Sequence, residues 1–207
     1  MVDSNKVIEI IKAIAVKIEE QKTYLTELDQ PIGDSDHGIN LARGFAAVEK
    51  KLPTLAGKDI GTILKTVGMT LVSTVGGASG PLYGSAYLKA GMSLAGKNEL
   101  DLAGFTKTLK TAIDAVAQRG HAVANEKTML DAMLPSLKAI EDAAAAGKTA
   151  KEALKAGVDA AWAGVEHTKD LIATKGRASY VGERGIGHQD PGATSYSFML
   201  EVIANSI

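Results

Sequence analysis

Apolar residues return every three or four positions along almost the whole chain, the spacing of a buried helical face. Val7, Ile10, Ile11, Ile14, Ile18 and Leu25 form the first stripe, and Leu41, Phe45, Val48 and Leu52 the second. Three more run through Ile60, Ile63, Val67 and Leu71, then Tyr83, Tyr87 and Leu94, then Leu102, Phe105, Leu109, Ile113 and Val116. The last three comprise Leu130, Met133, Leu137 and Ile140, then Leu154, Val158, Trp162 and Val165, then Tyr196, Leu200, Ile203 and Ile207. No segment alternates apolar and polar residues between turn signals, as a half-buried strand would. The pattern predicts eight helices in a single all-α domain spanning residues 1–207.

Local signals agree. Thr149 followed by Glu152 reads as a capping box opening the seventh helix. Pro53, Gly57 and Asp59 separate the second and third helices, and Gly147 closes the sixth. Pro135 falls within the sixth stripe, which predicts a kink or a late start there. Helices running up and down place the links after the first, third, fifth and seventh at the same end. Those links are residues 28–40, 75–84, 119–129 and 175–194, and they are the chemically rich ones. The expected architecture is an eight-helix antiparallel up-and-down bundle with its functional loops at one end.

Composition narrows the field. A formal net charge of −1 offers no basic field for nucleic acid or an acidic membrane. The absence of cysteine excludes disulfides and thiolate chemistry. The first twenty residues carry charge every few positions, unlike a secretory signal, and no apolar run reaches spanning length. A soluble, cytoplasmic protein is expected.

The first rich link contains GDSDHG at 33–38, with Asp29 just upstream. Asp34 and Asp36, two apart between glycines, can turn their oxygens to one point within reach of Asp29. An oxygen-only set without sulfur or clustered histidine suits magnesium, manganese or calcium. The competing reading has Asp36 capping a helix and Asp34 shaping a turn. In the second link, Gly76-Gly-Ala-Ser-Gly80 precedes a helix, where free amides and the helix dipole favour an anion and Ser79 adds a hydroxyl. Arg177 in the last link can fork onto phosphate. His188-Gln-Asp-Pro-Gly192 enters the final helix. His37 and His188 read as hydrogen-bonding groups, His121 and His167 as surface residues without partners, and Tyr83, Tyr87 and Trp162 as core. Gly91 to Lys97 only imitates a P-loop, with Asn98 where Ser or Thr is required.

Taken together, IGDSDHGIN, VGGASGPLYG, EKTMLD and KGRASYVGERGIGHQDPGATS resemble the nucleotide-binding subunits of dihydroxyacetone kinases, most closely those driven by the phosphotransferase system. The resemblance runs end to end. It implies an eight-helix barrel with ADP or ATP and two magnesium ions at one end. Asp29, Asp34 and Asp36 would hold the metal. His37, Gly38, Ile39 and Asn40 would wall the nucleotide site, and Ala78 and Ser79 would meet the phosphates. Gly120 and Met129 would line the adenine end, Arg177 would pair with phosphate and act in catalysis, and Asp190, Pro191 and Gly192 would close the far side. One departure is His121 with Asn125-Glu126, where the family commonly has Lys and Gly-Asp.

The resemblance also implies partners. A DhaK-type subunit would carry dihydroxyacetone, and a DhaM-type phosphotransferase subunit would recharge ADP retained as a coenzyme. One rival is an ATP-dependent kinase with the acceptor domain fused to it; a chain ending at Ile207 favours the separate subunit. Another is a binding protein that engages a transcriptional regulator according to nucleotide state. Alanine-rich helical faces are compatible with a homodimer.

Overall fold

The computed structural model describes residues 1–207. Nine α-helices account for the fold: α1 (Ser4–Glu20), α2 (Lys22–Asp29), α3 (His37–Lys51), α4 (Ile60–Thr74), α5 (Ser79–Ser93), α6 (Leu102–Gly120), α7 (Leu130–Ala145), α8 (Ala150–His167) and α9 (Pro191–Asn205). The expected first helix is divided at Gln21, whose φ of −92° and ψ of 3° depart from the helical region. Beyond the break α2 lies close to α3: a methyl group on Gly38 would sit 2.1 Å from the Lys22 carbonyl oxygen. The other seven predicted helices each correspond to one observed helix.

Each helix packs on the next around the ring, and α9 returns to α1 and α8, which closes a barrel. The stripes face inward as one contiguous apolar cluster reaching from Val7 to Leu200. Ile18, Leu25, Phe45, Ile60, Ile63, Leu71, Val165 and Ala193 are among its fully enclosed members. A partly open apolar cavity of about 220 Å³ lies between α1, α5, α6 and α9. On α4 and α5, small residues let the two backbones nearly touch: a Cβ on Gly68 would lie 2.7 Å from the Leu88 amide. No helix is long and apolar enough to cross a membrane.

Two strands of two residues each, β1 (Val2–Asp3) and β2 (Glu99–Leu100), pair antiparallel and tie the N-terminus to the link between α5 and α6. They correct the expectation of no strand. At such a length alternation leaves no signature.

The capping box at Thr149 is present, with hydroxyl and Glu152 carboxylate exchanging bonds with each other's backbone. Asp3, Asp59 and Asp101 cap α1, α4 and α6 more simply, each carboxylate accepting one amide of the first turn. α7 runs through Pro135. Proline cannot bond the Asp131 carbonyl, and Gly164 of α8 lies against that freed oxygen, 2.1 Å from where a Cβ would be.

Candidate functional site

The four rich links meet at one mouth of the barrel, around a cleft of about 440 Å³. Its acidic wall is set by α2, α3 and the turn between them. Asp29 ends α2 and is buried, and its Oδ2 accepts the amides of Asp36 at 2.9 Å and His37 at 3.2 Å. Gly33 folds back with its amide 2.6 Å from the Asp29 carbonyl, and a Cβ there would collide with Asp29 Oδ1 at 2.0 Å. Ser35 adopts a positive φ of 60°, which turns the chain sharply between Asp34 and Asp36. The result brings one oxygen from each of Asp29, Asp34 and Asp36 within 4.8 Å of one another. Burial raises the Asp36 pKa; Asn40 opposes this, and the carboxylates of Asp34 and Asp29 add to it.

Arg177, on a 3-10 turn (Arg177–Tyr180), reaches across the mouth and places Nε 2.7 Å from Asp34 Oδ2. Opposite, α5 begins at Ser79 after Gly77, whose φ is 63°, and no side chain caps its first turn. That leaves an open helix N-terminus facing the carboxylates across the cleft. At the α9 end, Asp190 Oδ2 accepts the Ala193 amide at 2.6 Å, and Pro191 occupies the first helical position. Burial pushes the Asp190 pKa up to about 7, with the Ala193 amide and Lys127 opposing and Asp131 adding to the rise.

Asp29, Asp34, Asp36, His37, Ala78, Ser79, Gly120, Met129, Arg177, Asp190, Pro191 and Gly192 all line this one cleft. Gly38, Ile39 and Asn40 do not. Gly38 is buried against α2, Ile39 is 47% exposed, and the Asn40 side chain lies beneath Gly76 and accepts from Arg43 Nη2 at 2.6 Å. His167, expected to lack a partner, bonds Asn125 Oδ1 at 2.9 Å. Asn125 takes the left-handed backbone, φ 65°, that a glycine would adopt without strain.

Sequence reasoning passed over Lys127. It is 1% exposed, has a positive φ of 58°, and donates to the carbonyls of Thr168 at 2.5 Å and His188 at 2.6 Å. This ammonium ties the α6–α7 link to both ends of the long link carrying Arg177. Asp131 organises the same turn through the amides of Asn125 and Thr128. Lys127 stood inside the EKTM motif, and that was its only signal.

The donor set fits a hard divalent cation. Three clustered carboxylates repel one another, Arg177 pairs with one of them, and the cluster itself contains no nitrogen or sulfur ligand to favour zinc. A cleft with one acidic wall, one open helix N-terminus and the Arg177 guanidinium held over the carboxylates suits a phosphorylated ligand together with a metal ion. That describes a helical-barrel protein with a polar cleft at its mouth, one wall of it acidic.

Residues 31–205 match the DAK2 domain family, and the chain belongs to that family. It is 45% identical over 184 residues to the ADP-binding subunit DhaL of the PEP-dependent dihydroxyacetone kinase of Escherichia coli K12, covering 89% of this chain and 88% of the relative. The corresponding subunit of the PTS-dependent kinase of Lactococcus lactis is 41% identical, over 98% of this chain and 97% of its own. Among solved structures, dihydroxyacetone kinase from C. freundii in complex with AMP-PNP and Mg2+ superposes with a TM-score of 0.75 at 26% identity. That match covers 97% of this chain but 34% of the longer one.

Proposed function

We propose that this chain is the ADP-binding subunit of a phosphoenolpyruvate-dependent dihydroxyacetone kinase. The observation that carries the reading is the convergence of Asp29, Asp34, Asp36, Ser79 and Arg177 on a single cleft. Identity above 40% to separate ADP-binding subunits, against 26% to the longer C. freundii kinase, favours the subunit over the fused ATP-dependent version.

Asp29, Asp34 and Asp36 would hold magnesium, two ions on this reading, which when bound would supply positive charge to neutralise phosphate oxygens. The remaining steps belong to the chain itself. The open amides of α5 and the Ser79 hydroxyl receive phosphate oxygens. Gly120 and Met129 flank the base, and the turn at Asp190–Gly192 closes the far side. His37 to Asn40 support the wall through the first turn of α3. Arg177, held over the acidic wall by Asp34, is placed to offset charge on a phosphoryl group in transit. Phosphoryl transfer demands positioning and charge neutralisation more than a protein nucleophile, and the cleft offers those. A DhaK-type subunit would present dihydroxyacetone at this mouth, and a DhaM-type subunit would recharge the retained ADP, both in the cytoplasm.

Reconstitution tests this. The purified chain, a DhaK-type subunit and a phosphorylated DhaM-type subunit should form dihydroxyacetone phosphate over many turnovers with no nucleotide beyond that bound. A requirement for free ATP in amounts matching product would contradict the proposal.

A further inference from the structure

Beneath the phosphate end of the cleft runs a line of hydrogen-bonding side chains that joins three helices. Ser79 Oγ lies 3.0 Å from His37 Nδ1, and His37 Nε2 lies 3.0 Å from Ser195 Oγ. Ser195 Oγ is in turn 2.7 Å from the Tyr83 hydroxyl and 3.0 Å from the Gly192 carbonyl oxygen. Ser195 and Tyr83 are fully enclosed and do not line the cleft; Ser79 and His37 do.

A neutral imidazole carries one N–H, so one ring nitrogen donates and the other accepts. His37 is buried and both of its ring nitrogens meet uncharged hydroxyls, an environment that holds the imidazole in its neutral form. Two proton arrangements then satisfy the line. In the first, Ser195 donates to the Gly192 carbonyl, its oxygen accepts from Tyr83 and from His37 Nε2–H, and Nδ1 accepts from Ser79. Every short contact is used, and Ser79 turns only lone pairs to the cleft. In the second, Ser195 donates to Nε2, Nδ1–H donates to Ser79, and the Ser79 proton points into the cleft. The Ser195 bond to Gly192 is given up.

Phosphate oxygens accept hydrogen bonds, so Ser79 can serve one only in the second arrangement. We infer that Ser195 and Tyr83 are positioning residues that act through the tautomer of His37, and that phosphate binding at Ser79 moves His37 from its Nε2–H to its Nδ1–H form. The proton count is unchanged: one proton leaves Nε2 and one arrives at Nδ1 by exchange with water, while the two serine hydroxyls rotate. The inference rests on the reading that phosphate lies at the start of α5.

Nitrogen-15 NMR of the histidine rings in the full chain distinguishes the two forms. The free chain is expected to show Nε2–H, and addition of ADP with Mg2+ to convert it to Nδ1–H. Ser195→Ala leaves Nε2 without a partner, and an orphaned buried N–H is less tolerable than an orphaned acceptor. That variant should show Nδ1–H with and without ADP. Ser79→Ala should by the same logic show Nε2–H under both conditions. A wild-type tautomer that ignores bound ADP overturns the inference, as does a Ser195→Ala variant that switches as wild type does. Should Ser195→Ala fail to fold, wild type and Ser79→Ala decide the matter. If ADP does not bind at all, the proposed function fails, and the free chain still tests the line: Nε2–H supports it and Nδ1–H overturns it.

Discussion

Arg177 Nε sits 2.7 Å from Asp34 Oδ2, joining the last rich link to the first across the mouth of the barrel. The guanidinium side chain remains 69% exposed, so the pair contributes little to stability, about 0–1 kcal/mol. Its role is positional: it holds a cation over the site and offsets part of the carboxylate repulsion. Arg177→Ala should therefore lower phosphoryl transfer by about 10²–10³-fold, the usual loss for one charge-stabilising donor, with the melting temperature near wild type. A rate within a few fold of wild type, in a reconstituted assay, would remove Arg177 from the mechanism.

Asp34 and Asp29 should separate when each is replaced by alanine. Both are expected to abolish nucleotide retention by removing a metal ligand. Asp34→Ala should leave the metal-free chain about as stable as wild type, because it relieves repulsion from Asp36. Asp29→Ala should cost about 1–3 kcal/mol in urea unfolding, since it strips the partner from the amides of Asp36 and His37. Nucleotide retained by Asp34→Ala, or equal stability of the two variants, contradicts the assignment.

Lys127→Met keeps the length of the side chain and removes its donors. The His188 carbonyl and the Thr168 carbonyl, which keeps the Leu171 amide at 3.3 Å, then lose the ammonium, at about 1.5–3 kcal/mol for a hydrogen bond to a charged group. Amide hydrogen exchange should accelerate in residues 168–190 and stay slow in α1 and α4. Uniform acceleration throughout the barrel would show that Lys127 does not act on this link in particular.

Asp190 gives a pH signature. Its folded pKa is raised to about 7, whereas an unfolded aspartate titrates near 3.8. Between these values the folded chain binds the extra proton, so this group's contribution to stability is greatest below about 4 and is lost as pH rises to 7. Asp190→Asn keeps a competent helix cap without the charge. Its stability relative to wild type should rise from pH 4 to pH 7 and level off above that, as read from urea midpoints. A difference independent of pH would show that Asp190 is not held protonated.

The barrel was legible because its helices are amphipathic and its polar chemistry lies in alternate links, which antiparallel packing must gather at one end. Asp29, Asp34 and Asp36 were legible as a cluster because they are neighbours in sequence. The division at Gln21 was not: the stripe from Ile18 to Leu25 keeps phase through the break, so periodicity sees one helix. Lys127 was unreadable for a different reason. A charged loop residue is ordinarily solvated, and its burial depends on carbonyls at 168 and 188 that nothing local encodes. Tyr83 showed only as a core position, since its hydroxyl finds Ser195 on a helix distant in sequence.

The most direct test of the central claim is mass spectrometry of the small molecule released on denaturing the extensively dialysed protein. Near-stoichiometric ADP, retained in the presence of Mg2+ and lost with a chelator, is the predicted result. A cleft that holds no nucleotide, or that exchanges ATP freely during dialysis, would contradict a retained coenzyme and return the chain to the ATP-dependent or regulatory alternatives.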